Sequence, residues 1–185
     1  MSTKANAPES PTGRSRRRTP TTVAASGVRA PVVRVAPVAS EVFDSDSADY
    51  ADGFAIDTPD PNPRSTEQWA RASLEQAPVA LRWLIVAGWR VVLRLRLGPR
   101  QSPDHILGWK IIRRQPEATV LELRSSFLTA HLVFRRAGTR LSWSTFVRYD
   151  RRTAAFVWPP VSLLHRRIVP LALRLAAKRI QKACP

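Results

Sequence analysis

Between His105 and Tyr149 the chain carries four strand-length segments in succession, and a long amphipathic stretch follows them to Ala183. This run constrains the fold more than anything else in the sequence. The segments are His105–Arg114, Thr119–Ser126, Thr129–Arg136 and Arg140–Tyr149. Pro116–Glu117 and Ala137–Gly138 supply turns of hairpin length, and Phe127–Leu128 a weaker break. In the last segment Leu141, Trp143, Thr145, Val147 and Tyr149 share one face. Arg140, Ser142, Ser144 and Arg148 share the other, with Phe146 as the exception. In the second segment Leu121 and Leu123 oppose Glu122 and Arg124. Such alternation predicts an antiparallel sheet with one covered face.

What covers that face is predicted by the C-terminal stretch. Residues 161–183 read as a helix with an apolar stripe at Leu164, Ile168, Leu171, Leu175 and Ala176. Arg166, Arg167, Arg174, Lys178, Arg179 and Lys182 fill the other faces, and Pro170 predicts a kink or restart. A short strand is expected at Ala154–Trp158, with Pro159–Pro160 breaking the chain after it. A one-sided helix must bury its stripe, and the sheet offers the surface. The expected class is α+β, a curved antiparallel sheet wrapped around a long C-terminal helix, with a cavity between them.

Upstream, Tyr50–Asp57 alternates like a short strand and 58–63 is a proline-rich loop. Ser65 with Gln68 forms a capping box, so a helix starts there, and Pro78 should kink or split it. Residues 79–97 continue as a largely apolar helix ended by Gly98–Pro99. Arg82, Arg90, Arg94 and Arg96 cut its uninterrupted apolar run to the seven residues Trp83–Trp89. A membrane span needs about 20. The segment therefore reads as an amphipathic helix over a core, suited also to a membrane surface.

The net charge is +16, from 30 Lys and Arg against 14 Asp and Glu. Residues 1–40 hold seven basic residues and one acidic residue. Residues 41–60 hold seven acids and no Lys or Arg. The remainder holds 23 basic and six acidic residues. Residues 1–48 read as a disordered tail, basic and then acidic, and 49–183 as one domain. The run Arg14–Ser15–Arg16–Arg17–Arg18 lacks the continuous apolar stretch an export signal needs, which points to a cytoplasmic protein, with membrane association as an addition. The lone Cys184 excludes an intramolecular disulfide framework, and His105, His131 and His165 lie too far apart for a short-range metal motif. No metal or other cofactor is expected.

Candidate site residues are aromatic and histidine side chains. Trp109, Phe127, Trp143 and Trp158 line a ligand pocket in one reading and form plain core in the other. His131 shares a face with Thr129 and Val133, which puts it either in the cavity or toward solvent. In a pocket, His131 with Tyr149 would serve proton transfer on a bound carbonyl compound; a satisfied, non-catalytic histidine is the plainer reading. His165 is expected to fix the Pro159–Pro160 corner. Asp104 and His105, as strand neighbours, point to opposite faces and make no pair. Glycine-rich phosphate loops and G-x-S-x-G elbows are absent from the sequence. A binding protein is favoured over an enzyme.

Five short motifs occur in a shared order. They are Asp49-Tyr50-Ala51-Asp52-Gly53-Phe54, Trp69-Ala70-Arg71, His131-Leu132-Val133-Phe134-Arg135, Ser144-Thr145-Phe146-Val147-Arg148 and Leu164-His165-Arg166-Arg167-Ile168-Val169-Pro170. Together they resemble an uncharacterised bacterial domain-of-unknown-function family within the START-like (SRPBCC, birch-pollen-allergen-like) helix-grip superfamily. Val133 departs from the family's acidic position. The resemblance implies a helix-grip fold with a pocket for a small apolar ligand, a lipid or polyketide. The rival partners are an anionic membrane surface, compatible with lipid binding, and nucleic acid. Nucleic acid is disfavoured, because the basic residues are scattered and the aromatics sit on apolar faces instead of forming a basic stacking platform.

Overall fold

In a computed structural model, described for residues 31–38, 47–58, 64–99 and 101–182, the chain forms one eight-stranded antiparallel sheet and three α-helices. The strands are β1 (Val33–Val35), β2 (Tyr50–Asp57), β3 (Gln101–Ser102), β4 (His105–Ile106), β5 (Trp109–Arg114), β6 (Ala118–Arg124), β7 (Leu128–Ala137) and β8 (Arg140–Tyr149). The helices are α1 (Thr66–Leu74), α2 (Val79–Ala87) and α3 (Thr153–Lys182). Strand order across the sheet is β1-β2-β8-β7-β6-β5-β4-β3. Strands β3 to β8 are a meander, and β2 joins it by pairing with β8, the last strand made. The class is α+β, an open antiparallel sheet with a long C-terminal helix packed on it in the manner of a helix grip.

Local chemistry explains most element ends. Ser65 caps α1, accepting from the Gln68 amide at 3.3 Å while the Gln68 side chain accepts from the Ser65 amide at 3.0 Å. Pro78 sits at the N-cap of α2, so it separates the two helices as expected. The β7–β8 hairpin closes through two residues, with Gly138 first at φ +58°, a conformation cheap only for glycine. The segment read as one strand from His105 to Arg114 is two, because Leu107 and Gly108 turn at φ +50° and +90°. α1 is tied to the sheet by the buried Thr66 and Thr119 hydroxyls, 2.8 Å apart.

The 79–97 segment departs from its reading as one helix. After α2 it widens into a single π turn, Gly88–Val92, in which the Leu93 amide donates to the Gly88 carbonyl at 3.1 Å. Beyond that the chain forms no regular element, turning at Arg94 with φ +47°, with Leu93 and Leu95 buried and Arg94 and Arg96 outward. The Arg96 amide donates to the Arg124 carbonyl at 3.0 Å, tethering this stretch to β6.

The largest correction concerns α3. Ala154–Trp158 is no strand, and Pro159–Pro160 is no break: α3 runs from Thr153 through Pro159, Pro160 and Pro170. Helix continuity is held by burial of Ala154, Trp158, Ser162, Val169, Ala172, Leu173, Ala176 and Ile180 along one side. The side that packs on the sheet differs from the expected stripe. Leu164 and Leu171, expected in the buried stripe, are 48% and 43% exposed, and small alanines take the contact instead.

Two apolar clusters fill the sheet's faces. The main one joins α1 and α3 to the inner face, through Trp69, Phe134, Leu141 and Leu173 among others. Burying a side chain of the size of Phe134 or Leu173 contributes roughly 1.5–3 kcal/mol. A smaller outer cluster of Val120, Val133 and Phe146 accounts for the one apolar residue that broke the β8 alternation. Strand β1 lies within the segment read as a tail, and Val33–Val35 pairs with Ala55, Phe54 and Gly53 of β2. The Arg14–Arg18 run, residues 41–46 of the acidic stretch, residues 59–63 of the proline-rich loop and Cys184 lie outside the described residues.

Candidate functional site

A cavity of about 140 Å³ lies between the inner face of the sheet and α3, closed on a third side by α2 and the π turn. Strand alternation supplies its floor: Ala130 and Leu132 from β7, Trp143 and Thr145 from β8, and Trp109 from β5. α3 supplies Trp158 and His165, seven residues and two turns apart on one face. The π turn brings in Trp89, whose ring packs edge-on against Trp109 at 5.4 Å. The walls are almost wholly apolar, with one unusual feature. Trp109, Trp143 and Trp158 each have a buried indole N–H without a hydrogen-bond acceptor among the described residues. Leaving such a donor unsatisfied costs about 1–3 kcal/mol.

One corner of the cavity is polar. Asp52 of β2 and Thr145 of β8 are cross-strand partners, and period-2 alternation puts Tyr50 on the same face. The Tyr50 hydroxyl donates to Asp52 Oδ2 at 2.6 Å and accepts from Arg166 Nε at 3.1 Å. The Arg166 guanidinium lies over the Tyr50 ring, 5.5 Å from its centroid. His165 Nε2 stands 3.1 Å from Thr145 Oγ1 and 3.4 Å from Asp52 Oδ1. Trp158 encloses the group, packing against Tyr50 at 5.2 Å and His165 at 5.8 Å.

The electrostatics follow from this geometry. Burial alone would raise the Asp52 carboxyl, yet the adjacent His165 ring, the Tyr50 hydroxyl and the Arg166 charge together hold it below the usual carboxylate range. Asp52 is thus an anion with 1% of its surface exposed. The Tyr50 phenol is pushed up to about 12, first by burial and then by its bond to that anion. Tyr50 therefore stays protonated and passes Arg166's positive charge toward Asp52 as a hydrogen-bonded chain. The imidazole of His165 reaches the cavity wall with this anion behind it.

The expected site residues separate into two groups. Trp109, Trp143, Trp158 and His165 are brought together around the cavity. Phe127 is buried in the main core and Tyr149 packs at its margin, neither of them on the cavity wall. His131 is a correction. It lies on the outer face of β7, because its neighbours Ala130 and Leu132 point to the cavity. There its Nε2 is 3.1 Å from Glu122 Oε2, across the β6–β7 pair. Burial lowers the His131 pKa, against the pull of Glu122. His131 and Tyr149 thus form no proton-transfer pair in the cavity. His165 holds no proline corner; its partners are Thr145 and Asp52. Asp104 and His105 stay apart, Asp104 meeting Arg114 at 3.7 Å and His105 Nδ1 meeting Ser102 Oγ at 3.2 Å.

Tyr50, Asp52, Thr145 and Arg166 escaped the sequence reading as site residues. Their signal was present in the Asp49-Tyr50-Ala51-Asp52 and His165-Arg166 motifs, which the fold places in contact. Among the described residues, no group of three or more His, Cys, Asp or Glu side chains converges in the manner of a metal site.

A family model described as Protein of unknown function (DUF2867) matches residues 45–172, more than half of the chain. The chain belongs to this family. No curated protein matches it. The DUF2867 region begins just before β2 and ends within α3, so it contains both halves of the Tyr50–Asp52 and His165–Arg166 cluster. Strand β1 lies outside the DUF2867 match. Among the described residues of this DUF2867 protein, no helix is long and apolar enough to cross a membrane.

Proposed function

We propose that the protein binds a small, largely apolar molecule carrying a hydrogen-bond acceptor oxygen, in the cavity between the sheet and α3. The observation that carries this reading is the set of three acceptor-less indole N–H groups around an apolar space. A purely hydrocarbon occupant offers none of them an acceptor, whereas a carbonyl or ether oxygen seated against one of them supplies one. His165 offers a further polar contact at the same wall. The element order and the apolar pocket also support placing the DUF2867 domain in the START-like superfamily, whose members hold lipids or polyketides in this position.

Size narrows the ligand. A cavity near 150 Å³ accommodates about one aromatic ring. The occupant is a single-ring compound, or one end of a longer molecule whose remainder leaves through the opening beside Leu84, Val92 and Leu164.

The test compares two probes of equal size, the aryl ketone acetophenone and the matching hydrocarbon α-methylstyrene, by calorimetry and tryptophan fluorescence on the full chain. The ketone should bind about fivefold more tightly, one extra hydrogen bond being worth roughly 1 kcal/mol. Trp143→Phe should narrow that gap, and Ala130→Leu, which fills the cavity, should abolish binding of both. Equal affinities, or binding that survives Ala130→Leu, would overturn the proposal.

A further inference from the structure

Large apolar side chains stand on the outside of the protein in two segments that meet at the cavity wall. α2 reads Val-Ala-Leu-Arg-Trp-Leu-Ile-Val-Ala, apolar nearly all round, yet only Ile85 and Val86 are buried. A helix of that composition normally lies inside a protein. Here Val79, Trp83 and Leu84 are 60%, 63% and 52% exposed, and Val91 of the π turn is 76% exposed. α3 continues the pattern. Its outward residues Phe156, Pro160, Leu163, Arg167, Leu171, Arg174 and Lys178 recur at helical spacing, apolar first and then mixed with basic. Phe156 is 81% exposed.

The two segments share a second property, their charge. Residues 76–103 contain no Asp or Glu, and neither does α3. Arg90, Arg94 and Arg96 stand exposed on the first, and Arg167, Arg174, Lys178 and Arg179 on the second. A second copy of this chain would set arginine against arginine across such a face. The complementary partner is apolar in depth and anionic at its surface, which describes a bilayer containing acidic lipids. Indole and phenyl rings suit the boundary between headgroup and acyl chain, and guanidinium groups suit the phosphate layer.

The surface is continuous with the cavity. Leu84, Val92 and Leu164 are half-exposed and also line the cavity wall. We infer that the exposed faces of α2, the π turn and α3 dock the protein on an anionic lipid surface, with the cavity opening toward the acyl chains. This surface does not depend on the cavity being filled, so its test is separate from that of ligand binding.

The test is sedimentation of the full chain with phosphatidylcholine vesicles, and with vesicles containing about a third phosphatidylglycerol, across a salt series. Binding should appear only with the anionic vesicles and weaken as salt rises. The double variant Trp83→Ala/Phe156→Ala should weaken it about tenfold or more. Both side chains are exposed, so the fold survives, which circular dichroism checks. Arg90→Glu/Arg167→Glu should weaken it comparably at low salt. Ala130→Leu should leave vesicle binding intact while removing binding of the ketone probe. Failure to bind anionic vesicles overturns the inference. Binding unaffected by Trp83→Ala/Phe156→Ala also overturns it, since the basic residues outside this face would then account for it. Tighter binding to duplex DNA than to vesicles at physiological salt overturns it in favour of nucleic acid.

Discussion

Asp52 Oδ1 lies 3.4 Å from His165 Nε2, joining the second strand of the sheet to the middle of the last helix. Asp52 is almost fully buried, with the His165 ring facing one carboxylate oxygen and the Tyr50–Arg166 chain the other. Its folded pKa lies below the value of about 3.9 for a free aspartate. A depressed carboxyl stabilises the fold fully above the unfolded value and loses that contribution as pH falls through the folded value. Asp52→Asn should cost about 1–3 kcal/mol at neutral pH. It should also flatten the loss of stability below about pH 4. Urea midpoints from pH 7 down to 3 check both effects.

Tyr50 makes an opposite prediction at the alkaline end. Its folded pKa of about 12 exceeds the ordinary 10, so its contribution is complete below 10 and lost as pH rises toward 12. The chain has two tyrosines. Absorbance titration of the phenolate should lose its step at about 12 in Tyr50→Phe.

His131 gives an independent window on the outer face. Burial depresses its pKa below 6.5, so its stabilising effect is present above 6.5 and declines as pH falls through the folded value. His131→Gln should show a shallower fall in stability between about pH 7 and 5 than the natural chain. Binding of the ketone probe should not change, because Glu122 and not the cavity is the partner of His131. A lost ligand affinity would contradict the placement of His131.

Pro170 lies inside α3 and cannot donate to the Arg166 carbonyl. Pro170→Ala restores that bond and removes a steric conflict, offset in part by a freer unfolded chain. A net gain of about 1 kcal/mol or more is expected from the proline penalty. Thermal unfolding measures it directly.

The sheet was legible where strands alternate, as Leu121–Arg124 and Arg140–Tyr149 do. Tyr50–Asp57 and Arg140–Tyr149 were bounded to the residue. α3 was misread at its start, since a proline pair ordinarily ends a helix and local rules carry no term for the burial of Ala154 and Trp158. Its phase was misread for a related reason. Of the expected stripe Ala176 is fully buried, but Leu164 and Leu171 are not, and close packing on the sheet selected Val169, Ala172 and Leu173 instead. The cavity tryptophans could be named from composition, but the charged corner could not. Tyr50 and Asp52 read as ordinary strand residues until the register with β8 and the rotation of α3 set them beside Thr145, His165 and Arg166.

The pairing of β2 with β8 also sets an order of assembly. Strands β5 to β8 connect through short turns, whereas Tyr50 must find Val147 across the whole length of the domain. Contacts that close such long loops are slow relative to hairpins. The hairpins can therefore precede the arrival of β2, and the Asp52 carboxylate is committed to the interior only when α3 is there to receive it. A chain interrupted before His165 would lack the α3 residues that cover Asp52 as well as those that face its carboxylate. The polar corner is therefore complete only when the second strand and the last helix are both in place.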